Sequence, residues 1–520
     1  MDKAHDQNDQ GPERPRRPSW AAVGRRPIPD ARQAPLPRFW FMRSHTLFPT
    51  LLLLGSLALT AGCSSGVPES SGTASADARP DSTSSAAETV DPSTIKGLNI
   101  VNDNSEHKSC PFATSYPDVP GARAMTAAMK KDVQERLASF RSGACTAGAG
   151  GAEGRDLNIS HQFLVASGDV LGVRLTTQDH EAAGSGLSTR TYWYDGKAGA
   201  YRTALGLVAD GSRDDFVAAL KDRLQGREGV DATALHDAFA GPRERTTVLD
   251  DMAFTADGGL RVEFDSGEVG TPAAGSYVVT LSREMITPWL SAFGQRAQRQ
   301  TVSPGRPLDL GAAHVPVPVV PTHTASGDDD TDCRKVKCIA LTFDDGPVVP
   351  ETANLLTGLA RYKARVTFFT VGQNVSAHPD LVRAEAKAGH EIGNHSWNHP
   401  DLTRLSPEQV ASQLDRTNAA IKAATGELPA VFRPPYGAVN QTVRSATTMS
   451  PVLWNVDSED WRCRDAAKVA QTVIGKVRPN AVVLMHDIHA TSVEAVPGIL
   501  RTLTARGYHF VTVSHLRATL

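Results

Sequence analysis

At 520 residues the chain is longer than one ordinary domain, and two or three folded regions are expected. Its 54 Lys and Arg against 57 Asp and Glu leave a formal charge of −3, which gives no electrostatic ground for a nucleic-acid partner. Aromatic residues make up only 6% while Gly (43) and Pro (33) are plentiful, the composition of ordered domains separated by flexible stretches.

Residues 1–41 are Arg- and Pro-rich and too long for the basic start of an export signal, so translation is expected to begin at Met42 and residues 1–41 to lie outside the mature protein. The stretch 42–62 has one early Arg, an apolar run and then small residues. That run is short for a membrane span and suits the core of a secretory signal. Its ending, "LTAGC", resembles a bacterial lipobox, which implies lipidation of Cys63 and attachment to the outer face of the membrane. Thr60 stands where that pattern more often has Leu, and a plain secretory signal with a chance cysteine is the alternative. Residues 63–94 are Ser, Thr, Ala, Pro and Asp, which cannot bury a core and read as a flexible tether. Export permits disulfides. Cys110 with Cys145 and Cys333 with Cys338 are the expected pairs, free thiols are the alternative, and Cys463 is left over.

Residues 95–300 read as an α+β domain. "DVPGARAMTAAMKKDVQERLASF" has helical spacing, and "NISHQFLVASGDVLGVRLTTQ" and "STRTYWYDGKAGAYRTALGLV" read as strands, with Asp195-Gly196 a hairpin signal. "MAFTADGGLRVEFDSGEVGTPAAGSYVVTLS" adds further strands before a helical "REMITPWLSAF". No cluster of catalytic residue types stands out. The order of these pieces resembles an extracytoplasmic module of some bacterial cell-wall deacetylases and lysozyme-sensing anti-sigma factors, chiefly over "GLRVEFDSGEVGTPAAGSYVVTLS" and the helix before it. That resemblance implies binding or positioning. Residues 301–332, Pro-rich and then acidic, read as a linker.

From residue 333 to 520 strand-like runs ("IALTF", "RVTFFTVG", "HEIGN", "AVFRPP", "VLWNV", "AVVLMH", "HFVTVS") alternate with helical ones at 351–363, 378–389, 406–425, 439–448, 465–477 and 491–506. Ser406, Pro407 and Gln409 form a capping box with Pro in the first turn. This α/β alternation implies parallel strands with crossover helices, and seven strands close as a barrel somewhat short of the usual eight.

The unusual polar residues fall on one end of that barrel. Asp344 and Asp345 end the first strand, and His395 and His399 follow the third. Arg433 and Tyr436 follow the fourth, Asp457, Asp460 and Trp461 the fifth, and His486 ends the sixth. Each alone has a blander reading: a turn, a chance pair among 16 histidines, a stiff loop, a packing tryptophan, a core histidine. Together they gather at the C-terminal ends of parallel strands, where barrel enzymes keep their sites.

"TFDDGP", "HSWNH", "RPPYG", "DSEDW" and "VVLMH", in this order over 333–520, resemble the five motifs of the polysaccharide deacetylase family, the NodB-homology carbohydrate esterases (carbohydrate esterase family 4). The resemblance implies a distorted (β/α)7 barrel and a metal-dependent N-deacetylase. It implies that Asp345, His395 and His399 hold one divalent metal and that Asp344 is the general base, oriented by Arg433. It implies further that the Tyr436 N–H stabilises the oxyanion, that His486 paired with Asp457 is the general acid, and that Trp461 and Leu484 line the acetyl pocket. One carboxylate and two imidazoles suit zinc, with cobalt, nickel and manganese as alternatives. The expected substrate is cell-wall glycan, peptidoglycan N-acetylglucosamine or N-acetylmuramic acid, acted on by a monomer. Chitin oligosaccharides come second and xylan O-acetyl groups third. A wall-bound sensor without turnover is the rival class, but no motif residue is substituted. The G-x-S-x-G at Gly62–Gly66 lies across the lipobox with no strand or helix around it, which rejects a serine hydrolase.

Overall fold

The computed structural model describes residues 90–144, 155–181, 184–311, 319–322 and 329–520. The export signal, Cys63, the tether up to residue 89 and Cys145 lie outside the described residues, and with Cys145 the expected Cys110 pairing.

Long two-residue alternation builds the first sheet. Its six strands run in chain order: β1 (Asn99–Ser105), β2 (Phe112–Asp118), β3 (Asp156–Ser167), β4 (Val170–Glu181), β5 (Gly184–Asp195) and β6 (Ala200–Thr203). β2 and β3 pair in parallel and the other neighbours antiparallel, with the Asp195-Gly196 turn joining β5 to β6. The helix Arg123–Ala144 places Met125, Met129, Val133, Leu137 and Phe140 at helical spacing, and this stripe is buried with Leu157, Ile159, Phe163 and Val173 of the sheet. A second core lies on Trp193 and Val170. It is covered by the meander β7 (Asp251–Phe254), β8 (Leu260–Phe264) and β9 (Tyr277–Leu281) and by the helices Arg213–Leu224 and Ala292–Val302. The expected α+β architecture holds.

The second region is a parallel sheet with crossover helices. Its strands are β10 (Lys337–Asp344), β11 (Thr367–Thr370), β12 (Glu391–Asn394), β13 (Val431–Phe432), β14 (Ser450–Pro451), β15 (Val456–Asp457), β16 (Ala481–His486) and β17 (Tyr508–Phe510). The order is β14-β13-β12-β11-β10-β16-β15, with β17 also on β10, and every pairing is parallel. Both faces of β10 are buried. Ile339, Leu341 and Phe343 pack under the helices, while Cys338 and Ala340 face the interior with Phe369, Val431 and Val511. This is the distorted barrel that the alternation predicts. Of the expected strand "VLWNV" (452–456) only Val456 is in a strand, as the start of β15, while β14 lies just before the run, and the sheet is not closed between β14 and β15.

All six expected helices form, as Glu351–Tyr362, Pro379–Lys387, Pro407–Thr425, Gln441–Ser445, Ala466–Lys476 and Ala490–Ala505. Ser406 and Gln409 make the expected reciprocal capping box. Two short helices, Gly372–Ala377 and Val513–Ala518, were not expected. Cys333 and Cys338 are joined as a disulfide at the entry to β10, and Cys463 is a free thiol.

Candidate active site and metal centre

Register carries the site. Across the sheet Asp344 lies opposite both Phe369 and His486, Thr370 opposite Asn394, and Asn394 opposite Phe432. The strands therefore end level, and the residues just beyond them meet above the barrel. There the backbone turns sharply. Of the seven described non-glycine residues with positive φ, five lie in these loops: Asp345, Ser396, His399, Tyr436 and Glu459. Such conformations are costly and gather at functional sites.

The two adjacent aspartates part company at that turn. With φ of 76°, Asp345 leaves the strand and aims Oδ1 at the Nε2 atoms of His395 (3.3 Å) and His399 (3.4 Å). All three side chains are buried and their ligand atoms lie within 4.8 Å of one another. The His395 Nδ1–H donates to the Arg433 carbonyl (2.6 Å), which leaves Nε2 free to face Asp345. Asp345 Oδ1 and both ring nitrogens of His399 are buried without a hydrogen-bond partner. Orphaned polar atoms converging in this way fit a bound divalent cation, and the donor set of one carboxylate and two imidazoles is that of an open metal site. Although burial opposes it, the imidazoles of His399 and His395 hold the Asp345 carboxyl well below the usual range. Burial pushes His399 down to about 4, the neutral state that ligation needs.

Asp344 stays on the strand. Its Oδ1 accepts from Arg433 Nη1 at 2.7 Å, and its Oδ2 lies 3.7 Å from His395 Nε2. Arg433 is wholly buried. It also donates from Nη1 to Thr342 Oγ1 and from Nε to the Val452 carbonyl, and its guanidinium stacks 4.2 Å above the Phe369 ring. Burial raises the Asp344 pKa, and Arg433 and His395 only partly offset it.

Opposite them, His486 Nδ1 meets Asp460 Oδ1 at 2.8 Å, while Asp460 Oδ2 accepts from the His486 N–H (2.8 Å) and from Ser492 Oγ (2.6 Å). Burial would lower the imidazole pKa, but the Asp460 carboxylate outweighs it and raises His486 to about 10. The expected partner was Asp457, and this is corrected. Asp457 instead caps the Glu459 N–H (2.7 Å) and lies 3.5 Å from Trp461 Nε1. Glu459, with φ of 61°, folds the chain back so that Asp460, not Asp457, reaches the histidine.

The remaining expected residues fall around this centre. Tyr436 sits in a left-handed turn (φ 59°) with its ring edge-on to His399 at 4.8 Å. Leu484 is buried on β16, two residues before His486 and so on the same face. Trp461 is half-buried beside Asp457.

Sequence reasoning missed what the first region contributes. Asn104, at the end of β1, donates from Nδ2 to Asp345 Oδ2 (2.6 Å) and meets His489 Nε2 with Oδ1 (3.1 Å). Glu106, half-buried in the β1–β2 turn, lies within electrostatic reach of His486, Asp345, His395 and Asp344, and burial raises it to about 8. The polar run Asn102–Glu106 carries no pattern that marks it.

Residues 331–450 match the family model described as Polysaccharide deacetylase. The chain is 43% identical over 180 residues to the peptidoglycan-N-acetylglucosamine deacetylase PgdA of Listeria monocytogenes, across 35% of this chain and 39% of that protein. It is 38% identical over 190 residues to a peptidoglycan-N-acetylglucosamine deacetylase of Bacillus cereus, across 34% of this chain and 69% of that protein. The chain belongs to the polysaccharide deacetylase family. Among solved structures, that of the peptidoglycan deacetylase PdaC from Bacillus subtilis is 41% identical over 35% of this chain and 91% of its own, with a TM-score of 0.35. Over the Listeria relative the match spans well under half of that protein's length. These relatives and the family model are matched over no more than about a third of this chain.

Proposed function

We propose that this polysaccharide deacetylase removes N-acetyl groups from cell-wall glycan by metal-dependent hydrolysis, with peptidoglycan N-acetylglucosamine or N-acetylmuramic acid as substrate. The carrying observation is the juxtaposition of Asp345, His395 and His399, with unpartnered ligand atoms, beside the Asp344–Arg433 and His486–Asp460 pairs. Relatives named as peptidoglycan deacetylases support the substrate class. An envelope substrate agrees with export and with an anchor at Cys63.

Asp345, His395 and His399 would hold a divalent cation, zinc by preference. When bound, it supplies Lewis-acid polarisation of the acetyl carbonyl and acidifies the attacking water. The chain's own residues do the rest. Arg433 fixes the Asp344 carboxylate, which takes the proton of the water as it attacks. The Tyr436 N–H donates to the carbonyl oxygen as charge develops there. An amine leaves poorly until protonated, and His486, kept as imidazolium by Asp460, delivers that proton. Leu484 and Trp461 bound the space for the acetyl methyl.

Acetate release from peptidoglycan glycan and from N-acetylglucosamine oligomers tests the reading, with chelated protein, zinc- or cobalt-restored protein and Asp344→Ala side by side. Release that needs metal and is lost in Asp344→Ala is expected. The preferred polymer separates wall glycan from chitin oligosaccharides. One equivalent of bound metal with no release from any substrate would move the protein to the sensor class.

A further inference from the structure

The metal-site residues are sealed, which is unexpected for a centre that must admit a polymer. Asp344, Asp345, His395, His399 and His486 are each at most 5% exposed. The seal is the first region. Beyond the Asn104 contacts, Asn158 of β3 donates from Nδ2 to the carbonyls of Asn398 and His399 (2.9 and 3.0 Å), and Gln373 Nε2 donates to the His161 carbonyl. Two ion pairs flank these bonds: Asp103 with Arg464 (2.9 Å) and Asp156 with Arg404 (2.8 Å). The His107 ring stands edge-on to Trp461, 6.4 Å between centroids. The cavity left between Asn104, Ser115, Ile159, Asp345, Gln373 and His399 is about 20 Å³. That is room for a water molecule and far too little for a hexosamine.

We propose that the β1–β2 hairpin and the adjoining end of β3 form an intramolecular lid, and that the conformation described is a latent one in which Asn104 occupies space the substrate's acetamido group must enter. The chemistry of the plug matches the ligand it excludes. A primary carboxamide carries the same carbonyl and N–H as an acetamide, and here it is held between Asp345 and His489. The lid is also made to part. Part of its rim is exposed: Asp103 and Arg464 remain partly open to solvent, where such pairs are weak. A conformational equilibrium of this kind multiplies the apparent substrate affinity by the open fraction. The identity of the polymer rests on the deacetylase reading, while the occlusion does not.

The test uses the mature chain with two variants, Asp103→Ala/Arg404→Ala, which removes both rim ion pairs, and Asn104→Ala, which removes the plug. The first readout is independent of turnover: the rate at which a chelator strips cobalt, followed by its visible absorption. The second is the split between KM and kcat on N-acetylglucosamine oligomers. Opening is expected to speed stripping and lower KM, each on the order of tenfold, with kcat unchanged in the rim variant. Stripping rates and KM equal to wild type, in variants with a native thermal midpoint, would overturn the lid. So would a lower kcat at unchanged KM and stripping rate, because the hairpin would then support catalysis. If no protein releases acetate, the deacetylase reading fails, and the lid stands or falls on the stripping rate alone.

Discussion

Replacing Arg433 with Met should separate the stability of the site from its chemistry. The guanidinium has no solvent exposure and makes three hydrogen bonds, one of them to Asp344, so Arg433→Met leaves a buried carboxylate with its cation gone. Breaking a buried pair from one side costs about 3–5 kcal/mol. For a unit the size of the barrel this lowers the thermal midpoint by about 10 °C. The penalty depends on pH in a defined direction. Burial already raises the folded pKa of Asp344, so its contribution to stability is full below the unfolded value and is lost as pH rises through the folded one. Removing Arg433 raises the folded pKa further, and the loss at neutral pH deepens. The difference in midpoint between wild type and Arg433→Met, measured by circular dichroism in chelator, is therefore expected to be large near pH 8 and to shrink toward about pH 4. A midpoint difference that is equal at both ends, or that corresponds to less than about 1 kcal/mol throughout, would refute an ionised Asp344 that depends on Arg433.

Two other outcomes follow from the geometry. Asp460→Asn should reduce kcat/KM by about 10²–10³-fold and move the alkaline limb of the pH profile to lower pH, because His486 loses the carboxylate that raises its pKa; Asp457→Asn should cost less than about tenfold, and the reverse ranking would reject the Asp460 pairing. Cys333→Ser should lower barrel stability by about 2 kcal/mol, the entropy of a loop with a sequence separation of 5, and guanidinium unfolding that shows no change would rule out a structural role for that disulfide.

The parts of the site legible in the sequence are those fixed by strand ends. The run from Ile339 to Asp344 reads as a buried strand, and parallel neighbours bring His486 level with Asp344. A list of polar residues after successive strands is therefore already a list of neighbours in space. Choices made by a turn were not legible. Asp457 and Asp460 are both acids in one short motif, and the selection between them lies in the left-handed backbone of Glu459, a residue whose type gives no hint of that conformation.

Least legible was Asn104, which lies 241 residues from the aspartate it contacts. Periodicity describes how an element buries its own face, and it is silent on which two finished surfaces will meet. The first region looked inert toward chemistry because its polar residues follow no motif. Its contribution comes through docking, from the end of one strand and the turn after it. Asn104 is buried there with both ends of its carboxamide bonded, one of them to a residue of the metal centre. A buried amide satisfied at both ends by residues of another region is an interface contact, and its removal must be felt at that centre. Among the described residues, the end of β1 and the adjoining end of β3 contact the mouth of the barrel in the same chain.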